Sequence, residues 1–298
     1  MRWIVITKKT GQVGNRLTVF AHTLVAARAR GWGLLNPSFN EYAPNFVGPR
    51  SNVAGCVAAH PSHKPGAMAR RLAYALARVA WETGKVLRPL SLGLIARSRA
   101  RNEEHLELGA VIDAAAARGG RLLLLQGYHF RLRDEAAFLA HGDEVRRFLA
   151  PLPEHEAAGA AAVAALRGAG DLVVGIHIRQ GDYAQHLGGR FFWSPAVYAG
   201  LMSRLAEVLA PRRPAFLICT NGRFTAADFP GLTVGFGPGA ATADLAALMR
   251  CDLLLAPPSS FSAWAAWWGR VPIHKVQDPA APFTLEDFRV DVAPDPLY

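Results

Sequence analysis

The chain has 298 residues, 51% of them hydrophobic and 19% charged, which excludes global disorder and requires a sizeable packed core in one large domain or two ordinary ones. Its formal net charge of +10, with a pI near 10.1, favours anionic partners such as nucleotides, phosphorylated substrates, nucleic acid or acidic membrane surfaces. Cys56, Cys219 and Cys251 are widely spaced with no Cys-x-x-Cys, which argues against zinc; the last two, in or beside apolar segments, are expected as buried thiols, and the odd, low count suits a reducing cytoplasm.

No stretch reaches the roughly 18 apolar residues that span a bilayer. The first seven residues carry too short an apolar run for a signal peptide. The expectation is therefore a cytoplasmic protein, soluble or peripheral at the inner membrane face.

In chain order, residues 3–7 predict a buried strand. The run Gly11-Gln12-Val13-Gly14-Asn15 leads into a helix that ends near Arg30, and a second strand is expected over 32–36. Residues 36–65 are rich in Asn, Pro, Gly and Ser and predict an irregular loop region. Residues 68–85 predict a helix with Met68, Leu72, Leu76 and Val79 near one face and Arg70, Arg71, Arg78 and Lys85 on the others. With Arg88, Arg97, Arg99 and Arg101, the region from Arg70 to Arg101 forms a basic run. It reads either as a contact for anionic lipid or a charged acceptor, or as an ordinary solvated face.

A strand is expected over 121–126 before Gly127-Tyr128-His129, then helices over 134–149 and 154–166. Gly168 and Gly170 mark the domain boundary, giving domains 1–168 and 169–298. Strands over 172–178, 215–220, 232–236, 253–256 and 271–275 then alternate with helices over 194–209, 242–250 and 260–268. Ser194 caps the first of these helices, with Pro195 at its first position. That rhythm predicts α/β architecture with parallel sheets wound on both sides. The tail beyond is rich in Pro and Asp and is expected on the surface.

Three stretches can carry chemistry. Val174-Gly175-Ile176-His177-Ile178-Arg179 alternates with period 2, so one face enters a core and His177 and Arg179 point to the other. A turn through Gly181 and Asp182 closes the strand's carboxyl end, where open α/β folds bind ligands. Arg179 can grip a phosphate through its planar fork. Asp182 can orient that arginine or take a proton from an attacking hydroxyl; the bland alternative is an Arg-Asp pair bracing a turn. In the second stretch, Gly11 and Gly14 permit close backbone approach to an anion at a helix start, or simply a tight turn. They match neither the dinucleotide fingerprint nor a P-loop.

The third is Pro258-Ser259-Ser260-Phe261-Ser262, where a strand meets a helix and hydroxyls and free N–H groups can bind phosphate oxygens. Trp264, Trp267 and Trp268 form one face of that helix and are expected in the core rather than as a sugar platform. Asp244 can accept from the N–H groups of a base, or is a carboxylate placed at a helix start by the macrodipole.

Together these stretches resemble the GDP-fucose-dependent fucosyltransferase superfamily, closest to its α-1,2-fucosyltransferase branch (glycosyltransferase family 11-like). The resemblance rests on five runs: Thr10 to Asn15; Gly127-Tyr128-His129 with Val145-Arg146-Arg147-Phe148; His177-Ile178-Arg179-Gln180-Gly181-Asp182-Tyr183; Asp244-Leu245 to Met249-Arg250-Cys251; and Ser259 to Trp267. It departs from the family at Thr10 for glycine, Gln180 for the second arginine and Pro258 for asparagine, and is weakest over residues 36–121.

The resemblance implies a GT-B-like fold, two Rossmann-like domains facing each other across a cleft. It implies inverting transfer of fucose from GDP-fucose to a hydroxyl of an oligosaccharide or lipid-linked glycan, with no cofactor, metal or nucleic acid. Arg179 would hold the β-phosphate, with His177 beside it and Asp182 as base, Glu41 being the alternative base. Gly11, Gly14, Asn15, Asp244, Ser259, Ser260 and Phe261 would bind the donor, Asp244 reading guanine. Gln180 leaves open another GDP-sugar. The charge alone leaves open a non-enzymatic binder of anionic membrane or nucleic acid.

Overall fold

The computed structural model describes residues 1–52, 66–87, 94–100 and 105–295; the side chains of Leu87, Asp182 and His186 also fall outside the description. Cys56, Arg88 and Arg101, singled out from the sequence, lie outside the described residues. The chain divides into two compact units, Met1–Leu152 and Pro153–Tyr298.

The first unit opens with β1 (Trp3–Ile6), α1 (Val13–Ala29) and β2 (Gly33–Leu35), then a short turn of helix, α2 (Val47–Arg50). Next come α3 (Ala67–Leu87), β3 (Ile95–Arg99), β4 (Leu106–Glu107), α4 (Leu108–Ala117), β5 (Leu122–Gln126), β6 (Phe130–Arg131) and α5 (Glu135–Phe148). Its four-stranded parallel sheet has the order β2-β1-β5-β3, and β4 pairs with β6 beside it. Residues Val13 to Ala27 of α1 are nearly all buried, the behaviour of a helix that is apolar on every side. Phe20 meets Phe39 and Phe148 edge-on at ring distances of 5.3 and 5.9 Å.

The second unit contains α6 (Pro153–Arg167), β7 (Leu172–Ile178), α7 (Pro195–Leu209), β8 (Pro214–Thr220), β9 (Val234–Phe236), α8 (Ala241–Leu248), β10 (Leu253–Ala256), α9 (Ser260–Gly269) and β11 (Ile273–Lys275). Its parallel sheet has the order β11-β10-β7-β8-β9. The boundary read at 168/169 would leave α6 with the first unit, but α6 packs on α8. Gly159 lets the helices close to backbone contact at Ala246 and Ala247, and Glu156 and Asp252 form ion pairs with Arg250 and Arg167 respectively.

One expectation changes and two others gain detail. β7 is central, so both of its faces are covered and all seven residues are buried. The face carrying Gly175 and His177 is roofed rather than open; a side chain at 175 would collide with Leu248, Cys251 and Leu254. The tail lies largely at the surface, as expected, and is docked there by a few residues. Phe283 and Phe288 are buried in the second core, Arg289 bridges Ile273, and Asp291 pairs with Lys275 at 2.8 Å.

On α3 it is the apolar stripe that faces solvent. Met68, Leu72, Leu76 and Val79 are exposed, whereas Arg70 is buried and donates to the Arg50 carbonyl at 2.7 Å. Trp81 and Ala77 face inward against Val5 and Leu124, and the Arg97 guanidinium lies 4.0 Å from the Trp81 ring centre. Two cations of the supposed surface run thus serve packing.

Candidate functional site

In the second unit the chain runs from β7 outward to β8 and β9, then crosses back through α8 to β10 on the other side of β7. The order reverses between β7 and β10, and the crevice beyond the carboxyl ends at such a switch is where open α/β sheets take ligands. The residues leaving those two ends are His177 to Tyr183 and Pro258 to Phe261. Two stretches singled out from sequence, some eighty residues apart, therefore meet by topology.

Their contacts are specific. The His177 and Phe261 rings stack with centroids 4.8 Å apart and planes 29° from parallel. Tyr183 donates its hydroxyl to the Pro258 carbonyl at 3.1 Å, and the Arg179 guanidinium lies over the Tyr183 ring at 4.9 Å. Ser259 caps α9, its hydroxyl accepting from the Phe261 N–H at 3.2 Å; Ser262 donates back to the Ser259 carbonyl at 3.2 Å. Ser259 and Ser260 are both buried. The Asp182 backbone lies in the 3₁₀ turn Gly181–Ala184, while its side chain is outside the description.

His177 is buried, and its Nδ1 has no hydrogen-bond partner. Burial, then the charge of Arg179, pushes its pKa down to about 3, so the ring is neutral at ordinary pH. Leaving such a nitrogen unsatisfied costs about 1–3 kcal/mol, so a hydrogen-bonding group that reached it would be favoured.

Asp244 sits in the first turn of α8, buried, accepting from the Gly239 N–H at 2.8 Å. Burial raises its pKa to about 6, against the lowering effect of that hydrogen bond. A side chain at Gly237 would strike both the Asp244 carboxylate and the Cys219 sulfur, so the loop after β9 lies directly on them. Cys219 and Cys251 are buried, as expected of core thiols, and burial raises both thiol pKa values. Trp264 and Trp267 are fully buried, in keeping with a core role.

Gln180 is tied into the loop. Its N–H donates to Asn221 Oδ1 at 2.7 Å and its Nε2 to the Trp193 carbonyl at 3.0 Å. Asn221 was not singled out from sequence; the available signal was its place just beyond the carboxyl end of β8.

The first unit has its own switch, between β1 and β5, with the glycine run after one strand and Gly127-Tyr128-His129 after the other. A cavity of about 310 Å³ lies there, lined by Lys8, Lys9, Gly11, Asn15, Arg99 and His129 among others, with no carboxylate among the described residues of its wall. Gly11 has φ +58°, and a side chain there would overlap Asn15, so glycine is required on both counts. Gly14 is buried in the first turn of α1 and does not line the cavity. Lys8, Lys9 and Arg99 are the lining cations that sequence reading left out of the site. Glu41 forms ion pairs with Lys9 and, at 2.9 Å, with Arg16. The hydrogen bond from Lys9 leads in holding its carboxyl below the usual range.

No family model and no curated protein matches this chain. Among solved structures, it is similar to a point mutant of FUT1 from Arabidopsis thaliana in complex with GDP, at 12% identity and a TM-score of 0.56, over 94% of this chain and 72% of that one. It is also similar to POFUT1 in complex with GDP-fucose, at 11% identity and a TM-score of 0.49, over 90% of this chain and 94% of that one. The chain has the α/β, parallel-sheet fold of the GT-B-like fucosyltransferase structures.

Proposed function

We propose that this protein is a fucosyltransferase that moves fucose from GDP-fucose to a hydroxyl of a glycan, free or lipid-linked, with inversion at the sugar carbon and without a metal, in the manner of the α-1,2 branch. The observation that carries the reading is the meeting of the His177-to-Tyr183 and Ser259-to-Phe261 stretches at the β7/β10 switch, with Asp244 on the helix that makes the crossover. The FUT1 structure of like fold was solved with GDP, which supports a guanine nucleotide as the ligand.

In this reading the acceptor oxygen forms its bond to the sugar's anomeric carbon as the bond from that carbon to the diphosphate oxygen breaks. The electron pair leaves with GDP, and the acceptor proton passes to Asp182. Arg179 and the N–H groups at the start of α9 neutralise the departing diphosphate, a role that metal ions fill elsewhere. His177, neutral, offers one hydrogen bond to the donor and stacks on Phe261, which holds it in place. Asp244 accepts from the guanine N–H groups. Glu41 is the weaker candidate base because two cations hold its proton affinity down. Gly11 and Asn15, with Lys8 and Arg99, serve an anionic group of a substrate, whereas Gly14 packs α1 behind them.

A second reading keeps the chemistry and changes the sugar. Gln180 stands where the family carries an arginine, and its side chain is spent on Trp193. Release of GDP from a panel of GDP-sugars, with and without glycan acceptors, separates the two. Turnover of GDP-fucose alone supports the first reading, and turnover of another GDP-sugar alone supports the second. No GDP binding and no turnover of any donor overturns both. Within the first, Arg179→Ala lowers transfer by about 10²–10³ with the fold intact; wild-type turnover in that variant removes Arg179 from the mechanism.

A further inference from the structure

A surface helix ordinarily turns its apolar stripe inward and its charges outward. α3 is reversed. Met68, Leu72, Leu76, Val79 and Val86 follow one another at helical spacing and are 57–74% exposed. Its inner face is made of Arg70, Ala77, Trp81 and Gly84. The stripe runs along a helix of 21 residues, about 30 Å long. Nothing among the described residues covers it.

Arg71, Arg78 and Lys85 recur at every seventh residue and so form one edge of that stripe. Glu82 is the acid beside them, and it is engaged by Lys85 at 2.9 Å and Arg78 at 3.8 Å. The edge therefore stays cationic.

We infer that α3 lies in the plane of an anionic lipid surface, its aliphatic stripe sunk to the boundary between headgroups and acyl chains and its basic edge among lipid phosphates. Charge complementarity selects this occupant. A second copy would bring one strongly basic chain, net +10, against another. The stripe also lacks the aromatic anchors that dominate protein interfaces. Aliphatic residues of middling size flanked by cations are what an interfacial helix uses.

The test is co-sedimentation of the full chain with vesicles of phosphatidylcholine, alone or mixed with phosphatidylglycerol. A Leu72→Gln/Leu76→Gln/Val79→Gln variant and an Arg71→Glu/Lys85→Glu variant are compared with wild type. Circular dichroism and melting verify that each is folded, as exposed substitutions should be. Wild type is expected to pellet with the anionic vesicles and poorly with the neutral ones. Each variant should partition about tenfold less or weaker still. Indifference of wild type to phosphatidylglycerol, or wild-type partitioning in the triple glutamine variant, overturns the inference. A lipid-free wild-type dimer that the glutamine variant converts to monomer also overturns it, in favour of a second copy.

Discussion

Asp244 is the residue at which burial and proposed role can be set against each other most directly. Its pKa of about 6 lies above the usual carboxylate range because desolvation outweighs the Gly239 hydrogen bond. The folded protein thus holds a proton that the unfolded chain has released between about pH 4 and 6. This contribution to stability is present below that window and declines as pH rises through it. Reading guanine requires the ionised form, so GDP binding runs the other way and strengthens as pH rises through about 6. Calorimetric titration with GDP should show affinity about tenfold weaker at pH 5 than at pH 7, because only the ionised fraction binds. Asp244→Asn should flatten that difference. Titration of GDP's own phosphates is common to both proteins, so an equal pH slope in the variant would show that Asp244 does not read the base.

At the scale of elements, the tight seam between α6 and α8 carries a stability prediction. A Cβ at Gly159 would fall 2.5 Å from the Ala247 nitrogen, so the helices must part to admit it. Gly159→Ala should cost about 1–3 kcal/mol in urea unfolding despite alanine's better helix propensity. A stabilised variant would mean that the seam is looser than described. The same scale shows what was legible in the sequence. The bounds of β7 and β10 and the start of α7 match because local chemistry decides them: apolar runs flanked by turn residues, and Ser194 with Pro195. β3 escaped notice because Ile-Ala-Arg-Ser-Arg has no period and exists through its pairing with β5. α4 was missed although Glu107 caps it by accepting from the Gly109 and Ala110 N–H groups. The exposure of the α3 stripe was not legible, because periodicity reports that a stripe exists, not which side the tertiary fold covers. The candidate site was legible as separate stretches. What brings them together is a crossover, and sheet order does not appear in any local pattern.

At the scale of the whole molecule, each unit has its own parallel sheet, and the proposed base and diphosphate contacts cluster on the second, Pro153–Tyr298. A ligand that binds only folded protein stabilises what it binds by mass action, by about 2.7 kcal/mol at a hundredfold excess over its Kd. For a unit of this size, each kcal/mol corresponds to about 2–4 °C in Tm. GDP at that excess should therefore raise the unfolding transition of the second unit by roughly 5–10 °C, with slowed hydrogen exchange at Arg179 to Tyr183, Gly237 to Ala240 and Ser259 to Ser262. Calorimetry combined with hydrogen exchange read by mass spectrometry makes the measurement. Arg179→Ala and Asp244→Asn should each reduce the shift at fixed GDP, since each removes a proposed contact to a different end of the nucleotide. Protection confined to the cavity beside Gly11 and Asn15 would move the nucleotide to the first unit and leave the β7/β10 crevice without its ligand.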